Sequence, residues 1–98
     1  MAKLLYNNDG KEFYKVVAAT RKEFIAVMDG LCECHLCGDE CPFDEEMYYI
    51  PVLNVVYCKR CYELWCMSAK FYKADKPLEE KNLAPMRDTF IEIGCWED

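Results

Sequence analysis

The segments Cys34-His35-Leu36-Cys37 and Cys58-Lys59-Arg60-Cys61 each carry two cysteines that are separated by two residues. Residues 38 to 57 lie between the two pairs, and this spacing is at the upper end of the range typical of zinc sites. Zinc in a structural site takes four ligands in a tetrahedron, and cysteine thiolates suit it. The two pairs therefore predict one structural zinc ion with the following ligands: Cys34, Cys37, Cys58 and Cys61.

The sequence around the pairs favours the same site. Gly38 suits the end of a tight turn after the first pair, because a Cβ would hinder a positive φ there. Residues 47 to 51 and 55 to 57 predict two strands joined by a turn, which can bring the pairs together. The second pair begins a helix predicted over residues 59 to 73, where unpaired backbone N–H groups favour thiolates.

This order of knuckle, β-hairpin and helix resembles a treble-clef zinc finger. Residues 48 to 62 look like the hairpin-and-helix half of LIM-type domains, and they are similar to small zinc-binding proteins of bacteria and their phages. The resemblance covers residues 34 to 72 and implies the same four cysteine ligands. LIM domains hold two zinc ions, whereas this chain has one full ligand set. We therefore expect an α+β fold built on a small treble-clef domain with one zinc ion.

The chain is expected to form a single domain over residues 1 to 98, with the zinc-binding core in residues 31 to 76. Residues 1 to 30 predict a hairpin around Asn8-Asp9-Gly10, followed by a helix. Thr20 and Glu23 have the spacing of a capping box at the start of that helix, and Gly30 can end it. One long helix is the alternative, since five residues also share a helical spacing: Phe13, Val17, Thr20, Phe24 and Val27.

The C-terminal part, residues 77 to 98, is expected to pack on the core. A short helix is predicted over residues 85 to 93, with Pro85 at its first position and Gly94 as its stop. A strand over residues 89 to 93 is the alternative.

The remaining potential ligands leave alternatives open. Cys32 or Cys41 could replace one of the four ligands, or the two could hold a second ion together with His35. We expect His35 to be a solvated loop residue, because a side chain inside a knuckle turn points outward. Cys66 on the predicted helix is expected to be a small buried apolar residue.

Composition restricts the function. Among 98 residues, 18 are acidic and 12 are basic, for a net charge of −6, which disfavours binding to nucleic acid or to anionic lipid through overall charge. No run of apolar residues is long enough for a signal peptide or a bilayer span. Eight cysteines without a signal peptide predict a cytoplasmic metal-binding protein, and a secreted disulfide scaffold is the alternative.

Motifs for catalysis are absent, so an enzyme is not expected. The chain has one histidine and lacks the metalloprotease, serine-hydrolase and P-loop motifs. A zinc ion with four sulfur ligands also has no position left for a catalytic water.

The sequence instead predicts a module that binds another protein. Five carboxylates follow the first cysteine pair and suit a partner with a basic surface: Asp39, Glu40, Asp44, Glu45 and Glu46. The resemblance to phage-type proteins makes an inhibitor of a nucleic-acid-handling protein, such as an anti-CRISPR-like protein, the more specific hypothesis. A nucleic-acid-binding zinc finger that uses the basic and aromatic residues of 59 to 76 is the alternative.

Overall fold

The computed structural model describes residues 1–5, 13–28, 30, 32–38 and 41–97. Its elements in chain order are β1 (Lys3–Leu5), β2 (Val16–Thr20), α1 (Arg21–Met28), β3 (Glu46–Ile50), β4 (Val55–Cys58), α2 (Lys59–Ser68), one 3-10 turn (Lys73–Asp75) and α3 (Lys76–Glu92). The described residues thus form a four-stranded antiparallel sheet with three α-helices, and the α+β prediction is confirmed.

The sheet is a meander in which each strand pairs with the next one along the chain, in the order β1-β2-β3-β4. The two central strands, β2 and β3, are buried along almost their whole length. Helix α1 packs on β2, and helix α2 packs on β3 and β4. Because both central strands are covered, they appear in the sequence as continuous apolar runs rather than as alternating patterns.

The N-terminal hairpin prediction is supported by the antiparallel pairing of β1 with β2, in which Leu4 lies opposite Val17. The predicted turn at residues 8 to 10 lies outside the described residues. The alternative of one long helix from Phe13 to Val27 is wrong, because Val16–Thr20 is a strand. The backbone of this strand pairs with both β1 and β3, and a helix would leave the backbone groups of those neighbouring strands without partners.

The capping box at the start of α1 is confirmed. The Thr20 backbone N–H donates to Glu23 Oε1 at 2.9 Å, and the Glu23 N–H donates to Thr20 Oγ1 at 3.2 Å. The two N–H groups between them, on Arg21 and Lys22, donate to the carbonyls of Glu45 and Phe43 at 2.9 Å each. Helix α1 therefore begins with its N–H groups satisfied, half of them by a distant loop.

The hairpin between the cysteine pairs is also confirmed. Strands β3 and β4 pair with Ile50 opposite Val55, and a turn over residues 51 to 54 joins them. Asn54 closes the turn at φ 56°, and its N–H donates to the Ile50 carbonyl at 2.7 Å. The Tyr49 hydroxyl donates to Asn54 Oδ1 at 2.7 Å, which fixes the turn against the strand.

The predicted end of the helix that follows is wrong. Helix α2 ends at Ser68 rather than at residue 73, and Ala69 is already extended. The chain leaves the helix because residues beyond it pack elsewhere. The Phe71 ring lies 4.9 Å from the Tyr14 ring, and the Tyr72 N–H donates to the Tyr14 hydroxyl at 3.2 Å.

The C-terminal helix is much longer than predicted. Helix α3 covers Lys76–Glu92, so Pro77 rather than Pro85 lies in its first turn, and both the predicted start and the strand alternative over residues 89 to 93 are wrong. Pro85 lies inside the helix, where a proline costs about 3 kcal/mol. Leu83 and Phe90, on either side of it, are fully buried, and burial of two such side chains offsets that cost at about 1.5–3 kcal/mol each.

Gly94 ends α3, as predicted. It has a φ of +73° and donates its N–H to the Ile91 carbonyl at 3.0 Å, while the Cys95 N–H donates to the Phe90 carbonyl at 2.8 Å. These two bonds are those of a Schellman motif. The chain then returns to the N-terminus, where the Ala2 N–H donates to the Cys95 carbonyl at 2.7 Å. No helix in the described ranges has the length and apolarity that crossing a bilayer requires.

Glu23 joins the start of α1 to both ends of the chain. Its Oε2 accepts a hydrogen bond from the Cys95 thiol at 2.6 Å and lies 3.2 Å from the N-terminal ammonium of Met1. Burial opposes ionisation of Glu23, but the hydrogen bonds from Cys95, Thr20 and Met1 outweigh it and lower its pKa to about 2. The charged carboxylate therefore stabilises the fold.

We expect Glu23→Gln to lower the free energy of unfolding by about 1–3 kcal/mol at pH 7, the cost of leaving buried partners of a charged group unsatisfied. The unfolded pKa of Glu is about 4.3, so the contribution of Glu23 is fully present above that pH and is lost only as the pH falls toward 2. Guanidinium unfolding of zinc-loaded protein should show a constant difference between pH 5.5 and 7. Glu92→Gln, an exposed change, is the control. A difference that disappears within this range would contradict the assignment.

Candidate metal centre

The first cysteine pair lies on a tight turn, residues 34 to 38, which we call the zinc knuckle. The Gly38 N–H donates to the Cys34 carbonyl at 2.8 Å, and Gly38 has the positive φ, +74°, that the sequence predicted. The His35 N–H donates to the Val56 carbonyl at 2.9 Å. This bond fastens the zinc knuckle to the outer edge of β4, beside the second pair.

The second pair lies where β4 becomes α2. Cys58 is the last residue of β4 and the N-cap of α2, and Cys61 lies in the first turn of the helix. No side chain caps this helix start. The dipole at a helix N-terminus favours negative charge, which suits thiolates at this position.

The four sulfurs meet in one cluster. The Sγ atoms of Cys34, Cys37, Cys58 and Cys61 all lie within 4.8 Å of one another, and the sulfurs of Cys37 and Cys58 are 3.8 Å apart. A tetrahedron with Zn–S bonds of ~2.3 Å has edges of about 3.8 Å. The four cysteines therefore fit a single structural zinc ion, which would fill its coordination sphere with protein sulfur.

Burial and charge at the cluster match a structural site. Three of the four cysteines are buried, and Cys37 is exposed. Burial raises the pKa of Cys34, but the backbone N–H groups of Cys37, Cys58 and Leu36 outweigh it and lower that pKa to about 6. Burial together with the neighbouring cysteines raises the pKa of Cys61. A bound dication favours the thiolate form of all four, because it supplies the positive charge that the buried sulfurs need.

The other thiols stay outside the cluster. Cys32 and Cys41 are buried, yet neither joins a group of three potential ligands within the part of the chain that the structure describes. His35 is exposed, as predicted for a solvated loop residue. Cys66 is partly buried rather than fully buried. No disulfide joins the eight cysteines, all of which are among the described residues.

Arg21 supports the zinc knuckle, and the sequence analysis missed it. Its side chain is only 7% exposed; Nε donates to the Cys32 carbonyl at 2.6 Å and Nη1 donates to the Cys41 carbonyl at 2.7 Å. The guanidinium also lies over the Phe43 ring, 5.0 Å from its centroid. One cation thus joins the chain before the zinc knuckle to the chain after it. Nothing local in the sequence marks this role, since an arginine at the first position of a helix is usually solvated.

The predicted partner-binding carboxylates are only partly described. Asp39 and Glu40 lie outside the described residues, whereas Asp44, Glu45 and Glu46 are exposed. Glu46 Oε1 accepts a hydrogen bond from the Tyr48 hydroxyl at 2.8 Å. The backbone around these residues is held by the bonds from α1 to the carbonyls of Phe43 and Glu45.

Comparison of the chain with protein-family models, with curated proteins and with solved structures found no match. The assignment of the metal centre therefore rests on the spacing of the cysteines and on the geometry of their sulfurs.

Native mass spectrometry should show one zinc ion per chain. Serine at any of the four clustered cysteines should remove the ion and unfold the protein, because zinc supplies an apparent ~10–16 kcal/mol to folding in small zinc domains. Cys66→Ser and Cys95→Ser are the controls and should retain zinc, since both residues lie outside the cluster. Freshly purified protein with stoichiometric disulfides and no metal would overturn the assignment.

Arg21→Met should loosen the zinc knuckle without removing a ligand. Each hydrogen bond from a charged group to a buried acceptor is worth about 1.5–3 kcal/mol, so zinc transfer to a colorimetric chelator should become at least about tenfold faster. Lys22→Met removes an exposed charge from the same helix turn and is the matched control. Equal transfer rates for the two variants would show that Arg21 does not hold the site.

Proposed function

We propose that this chain is a zinc-stabilised module that binds the basic surface of another protein through residues 39 to 46, here called the acidic segment. The observation that carries the proposal is a fixed backbone with exposed carboxylates over residues 41 to 46. The carbonyls of Cys41, Phe43 and Glu45 accept hydrogen bonds from Arg21 and Lys22 in α1, while Asp44, Glu45 and Glu46 remain exposed. A segment that is already ordered loses little conformational entropy on binding.

Charge supports the same role. Among the described residues, no Lys or Arg forms an ion pair with Asp44, Glu45 or Glu46. The chain carries a net charge of −6, and a zinc ion with four thiolates adds further negative charge beside the acidic segment. A basic partner would relieve this repulsion, and complementary charge speeds association and suppresses wrong partners.

Phe43 supplies an apolar contact within the acidic segment. Its side chain is 62% exposed although it lies on the Arg21 guanidinium. An aromatic ring that is held in place and surrounded by polar residues is the type of group that contributes most at protein interfaces. The acidic segment therefore offers both charge complementarity and one apolar anchor.

We also propose that the chain binds a partner rather than catalysing a reaction, and that its core is a treble clef. Four sulfur ligands leave zinc no position for a reactive water, which supports a binding role over hydrolysis.

The order of the elements supports a treble-clef core. The zinc knuckle, the β3–β4 hairpin and α2 follow one another, with one cysteine pair before the hairpin and one at its end. Thiolate ligands persist in a reducing compartment, which supports a cytoplasmic location.

The more specific form of the proposal is an inhibitor or adaptor of a nucleic-acid-handling protein. Such proteins present basic surfaces to bind phosphate, and the exposed carboxylates of the acidic segment have the complementary charge. An anti-defence inhibitor of the phage type, anti-CRISPR-like in its action, is one such role; it rests on the sequence resemblance together with this surface.

Direct nucleic-acid binding by residues 59 to 76 gains little support from their aromatic residues, because three of the four rings pack against the fold and only Tyr72 is exposed, at 57%. The Tyr62 ring stacks on Tyr48 with centroids 4.2 Å apart, and the Trp65 ring lies 5.5 Å from Phe13. Phe71 packs on Tyr14 in the same layer. Rings that are engaged with the fold cannot provide the stacking surface that single-stranded nucleic acid requires.

The double variant Asp44→Asn/Glu46→Gln should keep its zinc and its fold but associate more slowly with the partner that co-purifies from the native host. Surface plasmon resonance at two salt concentrations should show association slowed about tenfold at low salt, with a flatter salt dependence, because rim charges act mainly on the association rate. Glu63→Gln/Glu92→Gln changes the net charge equally on α2 and α3 and is the matched control.

Two results would contradict the proposal. Equal association rates for the two double variants would show that the acidic segment is a solvated loop with no role in binding. Submicromolar binding of the wild type to random-sequence DNA, weakening steeply with salt, would instead favour the nucleic-acid alternative.

A further inference from the structure

A cavity of about 290 Å³ opens beside the metal centre. One wall is the chain through Glu33 and Cys34, and the opposite wall is the start of β4, with Val55 and Val56. Cys32 also lines the cavity, and its carbonyl shares the Arg21 guanidinium with the carbonyl of Cys41 in the acidic segment. Arg21 therefore connects the cavity to the surface that we propose for partner binding.

The cavity has a negative lining. Glu33 contributes an exposed carboxylate, and Cys34 is one of the four clustered cysteines. No Lys or Arg among the described residues lines the cavity, and its other polar side chains are His35 and Asn54. Zinc held by four thiolates leaves excess negative charge on the sulfurs, which accept hydrogen bonds from N–H donors. The charge of the lining thus favours a cation with N–H groups.

The size and the walls narrow the choice of cation. Cavities for small ligands and cofactors occupy about 300–1,000 Å³, so this one, at the lower limit, suits a single side chain better than a nucleotide. Met28, Val55 and Val56 provide apolar walls that can pack against the alkyl stem of a long side chain. Cys32, Glu33 and His35 also line the cavity, but they do not form a group of three converging metal ligands among the described residues.

We propose that this cavity receives an arginine side chain of the partner protein. The planar guanidinium can donate two parallel hydrogen bonds to the Glu33 carboxylate, and it loses hydration more easily than an ammonium group. This inference rests on the proposed function, because it names the side chain that a basic partner supplies. It adds a specific contact to the general attraction of the acidic segment.

The test is a titration of zinc-loaded, ¹⁵N-labelled protein with the peptide acetyl-Gly-Arg-Gly-amide, followed by ¹H–¹⁵N correlation spectra. We expect saturable shifts, with a dissociation constant in the millimolar range, at the amides of Glu33, His35, Val55 and Val56. The same peptide with citrulline, which has the same shape but no charge, should bind about tenfold more weakly, the factor that loss of one charge-assisted hydrogen bond produces.

Variants locate the contact. Glu33→Gln, checked for full zinc content, should weaken binding of the arginine peptide about tenfold, whereas Glu63→Gln on α2 should leave it unchanged. Shifts that are equal for arginine and citrulline, or that fall outside the cavity, would overturn the inference. A third peptide, acetyl-Gly-Lys-Gly-amide, should bind more weakly than the arginine peptide. Equal affinity for the two would also overturn the inference, because the cavity would then respond to positive charge without recognising the guanidinium.

The inference and the proposed function can fail separately. If Asp44→Asn/Glu46→Gln slows association with the partner and Glu33→Gln does not, the cavity is not a partner site although the acidic segment is. If the arginine peptide binds in the cavity but neither variant affects association, the cavity recognises arginine and the proposed function is wrong.

Discussion

Convergence of four sulfurs is the constraint on which the rest of this structure depends. The sulfur atoms lie within 4.8 Å of one another although they come from positions on either side of the β3–β4 hairpin. A buried group of thiols is unfavourable as thiolates unless a dication supplies the opposite charge. The net free energy of folding of a chain of this length is small once the cost of ordering its residues, ~1.5 kcal/mol each, is subtracted. We therefore expect zinc binding and the folding of the core to be one process.

The first turn of α1 connects the region around the metal centre to the rest of the molecule. Arg21 points toward the metal centre and joins the chain on both sides of the zinc knuckle. Glu23, two residues later, caps the helix and contacts Cys95 and the N-terminal ammonium. Two buried or half-buried charges of opposite sign thus connect the metal centre to the ends of the chain. Neither leaves a buried side-chain nitrogen or oxygen without a hydrogen-bond partner, and so neither incurs the cost of an unsatisfied buried charge.

The same arrangement explains why the surfaces proposed for binding lie around the zinc knuckle. A loop of polar and acidic residues has no apolar burial of its own to order it. Here α1 holds residues 41 to 46 in place, through the carbonyls of Cys41, Phe43 and Glu45. Ordering comes from the fold, so the exposed side chains remain available for a partner. The cavity beside Glu33 shares this support, since the His35 N–H bond to Val56 fixes its two walls.

Local signals in the sequence were sufficient for several features. The Thr20 and Glu23 capping box, the β3–β4 hairpin and the Gly94 stop each depend on contacts within a few residues, so the sequence alone determines them. The zinc ligands were also predictable, because each cysteine pair is a short motif, although the two pairs meet only in the folded chain. The lengths of α2 and α3 were not predictable in this way. Phe71 leaves the helical path to pack on Tyr14, and Pro85 is tolerated because Leu83 and Phe90 are buried on either side of it.

The role of Arg21 was also not predictable from the sequence. Its acceptors, the carbonyls of Cys32 and Cys41, approach it only after the zinc knuckle has folded back onto α1. The sequence by itself determined which residues can bind zinc and where the main turns and caps lie, because those are properties of short segments. The tertiary structure alone decided which charges are buried, where α2 ends and α3 begins, and which surface stays open, because burial depends on residues that are distant along the chain.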